Sequence, residues 1–245
     1  MINEWYRAWF DSPYYHKLYF YRDEAEAQQF ITRLIAHLKM PAMARLWDAG
    51  CGRGRHARFL ASKGFDVIGT DLSFNSIQVA KQFESDHLHF YQHDIRLPGW
   101  INYFDGAFNF FTSFGYFATR REHEDAVRTL AQGVKKDGLL VFDYLNVHYA
   151  EDHLMNNETK TIDGTEYKIQ RWHDSTHFFK RIVINDTELA TPIDFTERVA
   201  KFTFGDFTEM LAYQKVQLAE VFGDYELNSY DVRKTPRLII VGRKL

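Results

Sequence analysis

The chain has 245 residues, 45% of them hydrophobic and 26% charged, which is ordinary composition for one large globular domain with a real core. Its net charge of −3 disfavours a nucleic-acid partner, and the single cysteine, Cys51, excludes an internal disulfide, a Cys-ligated iron–sulfur cluster and a Cys-rich zinc site. No apolar run reaches the roughly 18–20 residues that span a bilayer, and the first residues lack a signal-peptide layout. We therefore expect a cytoplasmic protein without a membrane partner.

Residues 1–40 form the first predicted unit, an aromatic segment followed by a helix. Residues 1–21 are rich in Trp, Tyr and Phe and are interrupted by Pro13, which predicts a short helix or loop packed on another part of the chain. Apolar residues recur at intervals of three and four over 22–39, which predicts an amphipathic helix that ends before Pro41.

The segment that follows alternates short apolar runs with helical patterns. Strands are predicted over 45–50, 65–70, 87–92, 105–111 and 139–144, and helices over 54–63, 73–83 and 121–133. Ser73 is the expected N-cap of the second of these helices, and Lys136-Asp137-Gly138 is a turn that leads into the fifth strand. Such alternation indicates an α/β fold of parallel β-α-β units with right-handed crossovers.

The pattern changes in residues 150–202, where β-rich runs are separated by turns. Asp163-Gly164 between two such runs is a strong hairpin signal. We predict an antiparallel β meander inserted into a single domain that spans 1–245, serving as a substrate lid, as the interface of a homodimer, or as both. A helix over 206–216 and strands over 221–225 and 237–242 complete the predicted elements.

The strongest functional signal is the run Leu46-Trp-Asp-Ala-Gly-Cys-Gly-Arg-Gly, in which Asp48 ends the first strand. Gly50, Gly52 and Gly54 allow backbone conformations closed to other residues, and they let a ligand approach the main chain. The helix N-terminus beyond them adds N–H donors for a polar or anionic group. The same run also fits the G-x-G-x-x-A dinucleotide fingerprint, but two residues late relative to the strand. A tight turn without a ligand is the other alternative.

Two further acids end the next two strands. Asp71 stands where a carboxylate can accept hydrogen bonds from vicinal ribose hydroxyls, and a helix-capping role before Ser73 is the alternative. Asp94 stands where it can accept the exocyclic amine of adenine while Ile95 packs on the ring, and an ordinary turn residue is the alternative. Because the carboxyl ends of parallel strands meet at one edge of a sheet, these residues together favour a cofactor that contains adenosine.

In combination these motifs resemble the class I S-adenosylmethionine-dependent methyltransferases over about residues 44–145. The resemblance rests on Asp48-x-Gly50-x-Gly52-x-Gly54, Asp71, His93-Asp94-Ile95 and Leu130 followed by Lys136-Asp-Gly-Leu-Leu-Val-Phe-Asp. The run Phe111-Thr-Ser-Phe-Gly-Tyr-Phe, followed by a β-rich insertion, is similar to a bacterial subgroup that acts on small molecules.

The resemblance implies a Rossmann-like mixed sheet of seven strands in the order 3-2-1-4-5-7-6, with the last strand antiparallel and helices on both faces. It implies S-adenosylmethionine as cofactor and S-adenosylhomocysteine as product. It further implies that Tyr14, His16 and Tyr19 cover the cofactor from above. By position, the other implied cofactor contacts are Asp48, Gly50, Cys51, Gly52, Gly54, Asp71, Leu72, Asp94, Ile95, Phe111 and Thr112.

Departures from the family's motifs narrow the range of acceptors that this chain is expected to methylate. The run after the fourth strand lacks the Asn/Asp-Pro-Pro-aromatic motif of enzymes that methylate planar amide or adenine amines, and Cys51 is not placed as the nucleophile of a cytosine C5 methyltransferase. No acid cluster resembles the metal site of catechol-type enzymes. We interpret His87, His89 and His93 as a solvated face, so no metal site is predicted.

We therefore expect methyl transfer to a nitrogen or oxygen of a small molecule, achieved by alignment and exclusion of water. Tyr116, Tyr144 and His148 are the acceptor-side candidates, and ordinary polar loop residues are the alternative. Three other functions remain open: an NAD-dependent oxidoreductase, a catalytically idle cofactor-binding module, and a protein or RNA methyltransferase. The last needs a basic or extended groove, which Arg171, Lys180 and Arg181 only hint at.

Overall fold

A computed structural model of the chain describes residues 5–19 and 24–245. The start of the helix predicted over 22–39, and part of the predicted N-terminal segment (1–4 and 20–21), lie outside these described residues. Within them, no helix is both long enough and apolar enough to cross a membrane.

The described residues form eight helices and eleven strands. The helices are α1 (Trp5–Phe10), α2 (Pro13–Tyr19), α3 (Glu24–Leu38), α4 (Arg55–Ser62), α5 (Phe74–Lys81), α6 (Arg120–Gly133), α7 (Val147–Asp152) and α8 (Phe204–Tyr213). The strands are β1 (Arg45–Ala49), β2 (Asp66–Asp71), β3 (Leu88–Gln92), β4 (Phe104–Asn109), β5 (Val134–Leu145), β6 (Asn157–Ile162), β7 (Thr165–His173), β8 (His177–Asn185), β9 (Ile193–Ala200), β10 (Val216–Phe222) and β11 (Arg237–Lys244).

Seven strands form one mixed sheet in the spatial order β3-β2-β1-β4-β5-β11-β10. Numbered within this sheet alone, the order is 3-2-1-4-5-7-6. The strands from β3 to β5 are parallel, and β11 is antiparallel to both of its neighbours. Parallel neighbours need crossover connections, which α4, α5 and α6 supply. The predicted sheet is therefore confirmed.

The core lies on both faces of this sheet because its central strands carry consecutive buried apolar residues. Along β5, Leu140 and Phe142 belong to one buried cluster, and Leu139 and Val141 belong to another. Side chains alternate between the two faces of a strand, so each cluster occupies one face. Helices α6 and α8 cover the first face, and α3, α4 and α5 cover the second.

Local signals explain where several helices begin. Ser73 Oγ accepts a hydrogen bond from the Ser76 N–H at 3.0 Å, so Ser73 caps α5 as predicted. Thr119 and Glu122 form a reciprocal capping box at the start of α6. Pro13 is the first residue of α2, where its missing N–H leaves no helical hydrogen bond unmade.

Strands β6 to β9 form a second, antiparallel sheet of four strands, which confirms the predicted meander and is called the inserted sheet below. Asp163 and Gly164 join β6 to β7 with φ of 45° and 81°, the positive values that a two-residue type I′ hairpin requires. The apolar face of the inserted sheet, including Ile169 and Ile182, packs against Trp9 of α1 and against α2. The N-terminal helices therefore lie directly on the inserted sheet.

The predicted boundaries differ most from the structure in two places: at the start of β5, and between α8 and β10, where the strand predicted over 221–225 spans Val216–Phe222. Strand β5 begins at Val134, so the turn predicted at 136–138 is an irregularity inside the strand, where the pairing with β4 shifts register. Helix α8 ends at Tyr213 because Lys215 takes a left-handed φ of 57°, and β10 then begins at Val216. Short runs of apolar residues are compatible with both a helix and a strand. Periodicity alone therefore did not show where α8 ends and β10 begins.

Candidate active site

A cleft of about 330 Å³ lies at the carboxyl ends of β1, β2, β3 and β4. Its floor consists of residues that follow those strands, in the segments 50–53, 71–72, 93–95 and 110–113. Its roof consists of residues of α1 and α2 together with Glu197 of β9. The strand order reverses between β1 and β4, which is where open α/β sheets bind their ligands.

The glycine loop (residues 50–54) forms the turn from β1 into α4, as predicted. Gly50, Gly52 and Gly54 have φ of 84°, 55° and 78°. A Cβ atom on Gly54 would lie 2.5 Å from Cζ of Phe90, so this glycine allows close packing against β3 and does not line the cleft. A Cβ atom on Gly52 would meet no atom within 4 Å. Gly52 thus borders open space where a ligand can approach the backbone.

Asp48 and Cys51 are buried on either side of this turn. Asp48 is 1% exposed, does not line the cleft, and its Oδ2 has no hydrogen-bond partner among the described residues. Burial, followed by the charge of Asp71, raises the pKa of Asp48 to about 7. Cys51 lines the cleft, but burial raises the pKa of its thiol well above the usual value, which keeps the thiol protonated and unreactive.

Asp71 ends β2 and lines the cleft. Its Oδ2 accepts a hydrogen bond from the Gly52 N–H at 2.8 Å, and its Oδ1 accepts one from the Ser73 N–H at 2.8 Å. Burial raises the pKa of Asp71, and hydrogen bonds from the backbone N–H groups of Ser73, Gly52 and Leu72 oppose that rise. The two carboxylate oxygens have four lone pairs in total, so these three donors leave acceptor capacity for a ligand. Asp71 can therefore fasten the glycine loop, cap the next turn and still accept a ligand hydroxyl group.

Asp94 and Ile95 follow β3 and also line the cleft. The Asp94 carboxylate is paired with Arg96, whose Nη2 lies 2.7 Å from Oδ2 and whose Nε lies 3.0 Å from Oδ1. Arg7 of α1 approaches Oδ2 at 3.5 Å. Burial raises the pKa of Asp94, but the hydrogen bonds from Arg96 outweigh burial and hold the pKa below its usual value. An adenine amine would therefore have to share this carboxylate with an ion pair that sequence analysis did not predict.

The loop after β4 forms another part of the floor. Phe111 and Thr112, both in the cleft lining, have φ of 53° and 60°, a conformation that is unfavourable for residues other than glycine. Asp143 of β5 holds both residues: its Oδ2 accepts the Phe111 N–H at 2.8 Å, and its carbonyl accepts the Thr112 N–H at 2.9 Å. Backbone strain of this kind is kept where the surroundings over-determine the loop, and it is common at functional sites.

Aromatic rings of the N-terminal helices form most of the roof. The ring centroids of Phe10 and Tyr15 are 5.0 Å apart, and those of Tyr15 and Tyr19 are 4.8 Å apart. His16 lines the cleft beside them, and burial lowers its pKa to about 4, so the ring is neutral at pH 7. His16 and Tyr19 thus line the roof of the cleft, whereas Tyr14 packs against the inserted sheet.

The three acceptor-side candidates lie in different environments. Tyr116 lines the cleft, and its hydroxyl donates to the Thr112 carbonyl at 2.6 Å. Tyr144 is buried in the core, where its hydroxyl donates to the Ala200 carbonyl and burial raises its pKa well above the usual value. His148 is on α7, near an acid of its own helix, and does not line the cleft. Of the three, Tyr116 is the one that a ligand in this cleft can touch.

Several residues that line the cleft were not among those predicted from the sequence. Arg53 and His56 come from the glycine loop and the first turn of α4, and the His56 ring stacks on Phe111 with centroids 4.7 Å apart. Their signal was present, since basic residues directly follow two glycines of the motif in Gly52-Arg-Gly-Arg-His. Glu197 had no local signal, because only the packing of β9 on the N-terminal helices brings it to the cleft.

The histidines of the third strand do not assemble a metal site. His87 is exposed and precedes β3, and His93 lines the cleft with its Nε2 2.9 Å from the Leu97 carbonyl oxygen. Over residues 5–19 and 24–245, no group of three or more His, Cys, Asp and Glu side chains is arranged to hold a metal ion.

A family model described as a methyltransferase domain matches residues 19–183, more than half of the chain. YqeM of Bacillus subtilis (strain 168), which is named as a candidate methyltransferase, is 32% identical over 197 residues, 76% of this chain and 78% of YqeM. The chain therefore belongs to this methyltransferase family.

Solved structures share the fold over nearly the whole chain. An S-adenosylmethionine-dependent methyltransferase from Clostridium acetobutylicum ATCC 824 has a TM-score of 0.78 at 17% identity, covering 94% of this chain and 96% of that one. CalS10, an amino pentose methyltransferase from Micromonospora echinaspora solved with S-adenosylmethionine bound, has a TM-score of 0.69 at 20% identity, covering 96% and 98%. At these identities the likeness establishes the fold.

Proposed function

We propose that this protein is an S-adenosylmethionine-dependent methyltransferase that acts on a nitrogen or oxygen of a small molecule. One observation carries the proposal: at the strand ends an open glycine loop meets Asp71 beneath an aromatic roof, in one cleft. Membership of the methyltransferase family supports the activity, and the fold shared with enzymes named for this cofactor supports the choice of cofactor.

The residues of the floor suit such a cofactor part by part. The open space at Gly52 admits the methionine moiety close to the backbone. The remaining acceptor capacity of Asp71 suits a ribose hydroxyl, and Leu72 and Ile95 offer apolar surface to the adenine ring. The strained loop at 111–112 then borders the reacting centre.

The cofactor supplies a methyl group on a sulfonium, which is an activated donor. The chain has to hold the acceptor in line with that methyl group and to keep water out. The rings of the roof and the loop after β4 enclose the cleft from two sides, which serves both tasks. An obligatory base is not required, in keeping with the burial of Tyr144 away from the cleft.

The size and charge of the surroundings favour a small acceptor over a polymer. The basic residues of the inserted sheet do not form a continuous patch, because Arg171 pairs with Glu158 at 2.6 Å and Arg181 pairs with Asp194 at 2.5 Å. Because these arginines are paired with acids, they do not form the row of unpaired cations that a nucleic-acid backbone needs.

Calorimetry with S-adenosylhomocysteine tests the cofactor, and turnover of labelled S-adenosylmethionine across a library of small amines and alcohols tests the reaction. We expect micromolar-range binding of S-adenosylhomocysteine and label transfer to members of the library. Binding of NADH in competition with S-adenosylhomocysteine would instead favour an oxidoreductase. Cofactor binding with label transfer only to protein or RNA would refute the small-molecule proposal.

A further inference from the structure

Glu197 brings an acid from the inserted sheet into the roof of the cleft. Among the described residues of β6 to β9, it alone lines the cleft. Its side chain is 13% exposed, and its Oε1 accepts hydrogen bonds from Nε1 of Trp9 at 2.6 Å and from the Tyr19 hydroxyl at 3.0 Å. Two donors on one oxygen fix the orientation of the carboxylate.

The other oxygen of Glu197 is available to a ligand. Within residues 5–19 and 24–245, the one partner of Oε2 is Nζ of Lys180 at 3.7 Å, which is beyond hydrogen-bond distance. Lys180 donates instead to the Tyr19 hydroxyl and does not line the cleft. Both oxygens of each floor acid accept hydrogen bonds, from backbone N–H groups at Asp71 and from Arg96 at Asp94. Within the described residues, Oε2 of Glu197 has an ion pair with Lys180 but no hydrogen bond.

Aromatic rings surround the approach to Glu197. Tyr19, Tyr15, Phe10 and Tyr116 follow one another along the cleft lining, with successive centroids 4.8, 5.0 and 5.0 Å apart. The faces of such rings attract cations, and a carboxylate among them adds an acceptor for N–H groups. A wall of this composition suits an ammonium group better than a neutral hydroxyl group.

We propose that Glu197 is the acceptor-binding residue of this methyltransferase and that the acceptor is an aliphatic amine, bound first as its ammonium ion. The inference rests on the proposed function and names the substrate class of the same cleft. The amine reaches the wall of rings as a cation and donates N–H to Oε2 of Glu197. The carboxylate is oriented before the amine binds, because Trp9 and Tyr19 already hold its other oxygen in place.

The chemical step balances with this assignment. The ammonium ion releases one proton to solvent, which frees its lone pair, while a remaining N–H stays on Oε2 of Glu197. The lone pair forms the new N–C bond as the C–S bond breaks and its electron pair stays on sulfur. The products are S-adenosylhomocysteine and the N-methylated ammonium ion. Glu197 orients the nitrogen, since an N–H held by Oε2 points the lone pair away from the roof.

Matched probes test the inference on the full chain saturated with S-adenosylhomocysteine. The probes are two amine and alcohol pairs of like shape, cyclohexylamine with cyclohexanol and glucosamine with glucose, titrated by calorimetry. We expect the wild type to bind the amine of at least one pair about tenfold or more tightly than its alcohol, which corresponds to roughly 1.4 kcal/mol. We expect Glu197→Gln to lose this preference.

Two controls separate the inference from the proposed function. Gln keeps an oxygen for Trp9 and Tyr19, so Glu197→Gln should fold and should bind S-adenosylhomocysteine as the wild type does. Asp194→Asn removes the same charge from the exposed face of the same strand and should keep the amine preference. If the cofactor product binds but the preference is absent in the wild type, or survives in Glu197→Gln, the inference is overturned while the proposed function stands. Failure of S-adenosylhomocysteine to bind any of the three proteins would overturn the proposed function.

Discussion

The Arg237 guanidinium of β11 lies 2.6 Å from Oδ1 of Asp143 on β5, and the Asp143 side chain is fully buried. The other oxygen of this carboxylate holds the Phe111 N–H, and Arg237 also donates to Oγ1 of Thr112 at 3.0 Å. One buried ion pair thus joins the antiparallel strand of the main sheet to the strained loop of the cleft.

Removing one partner of this pair should be costly. Arg237→Met leaves the Asp143 carboxylate buried without its countercharge, so the free energy of unfolding should fall by roughly 3–5 kcal/mol. Urea unfolding measures the change. Arg233→Met is the matched control, because Arg233 pairs with Asp152 on the surface and such pairs are worth about 0–1 kcal/mol. Equal losses in the two variants would show that the buried pair has no special role.

The open space at Gly52 predicts a loss of ligand binding without a loss of fold. Gly52→Val places a side chain in the region where the cofactor approaches, so the rise in melting temperature caused by S-adenosylhomocysteine should disappear. Gly64→Val is the control: Gly64 also has a positive φ, 88°, and also has no atom near its absent Cβ, but it lies outside the cleft. Both variants carry similar backbone strain, so a lost ligand shift in both would refute the assignment of the loop.

Asp71 should contribute directly to ribose binding. Asp71→Ala should weaken S-adenosylhomocysteine by about 1–3 kcal/mol, since hydrogen bonds to a charged group are lost. Asp71 also holds the Gly52 N–H, so the substitution could weaken binding through the glycine loop instead. Calorimetry with an analogue that lacks both ribose hydroxyls distinguishes a lost ribose contact from such an effect on the loop. The analogue should bind wild type and variant almost equally. An equal loss for both ligands would mean that Asp71 acts only by positioning the loop.

The buried carboxyl group of Asp48 should make the free energy of unfolding depend on pH. Burial, followed by repulsion from Asp71, raises the pKa of Asp48 from an ordinary value of 3.8 to about 7. The folded state therefore binds this proton more tightly than the unfolded state, so the stability it contributes is complete below about pH 4 and is lost as the pH rises to about 7. Each unit of pH within that window is worth at most about 1.4 kcal/mol.

Asp48→Asn should remove this slope, so its stability relative to wild type should increase between pH 5 and pH 8 in chemical unfolding. His16 and His123, whose pKa values burial lowers to about 4, act in the opposite sense, because their contribution is lost as the pH falls below about 6.5. Both proteins contain these histidines, so their effect cancels in the difference. Parallel stability curves for the two proteins would contradict the assignment to Asp48.

The inserted sheet should support the roof of the cleft. Ile182 is fully buried between the inserted sheet and the N-terminal helices, so Ile182→Ala should cost about 2–4 kcal/mol at this contact. Hydrogen exchange of residues 5–19 should accelerate, while exchange in β3 should not change. Val183→Ala alters the opposite face of the same strand and serves as the control. Unchanged exchange in residues 5–19 would show that the inserted sheet does not stabilise the roof.

Sequence alone determined the parts of this protein whose signals are local. The glycine loop at 50–54 and Asp71 at the end of its strand follow from turn chemistry and from apolar runs a few residues long. The order of the main sheet followed from the resemblance that these motifs carry. The hairpin at Asp163-Gly164 was equally visible, because a two-residue turn with positive φ at both positions restricts the residues that can form it.

Tertiary structure decided what surrounds those local motifs. Glu197 is separated by 188 residues from Trp9 and by 178 from Tyr19, so no pattern within either segment relates them. The burial of Tyr144 and the approach of Arg7 to Asp94, 87 residues further along the chain, likewise depend on which elements lie beside them. Periodicity and turn chemistry specify the conformation of a segment, whereas contacts between distant segments arise only when apolar faces pack against each other and exclude water.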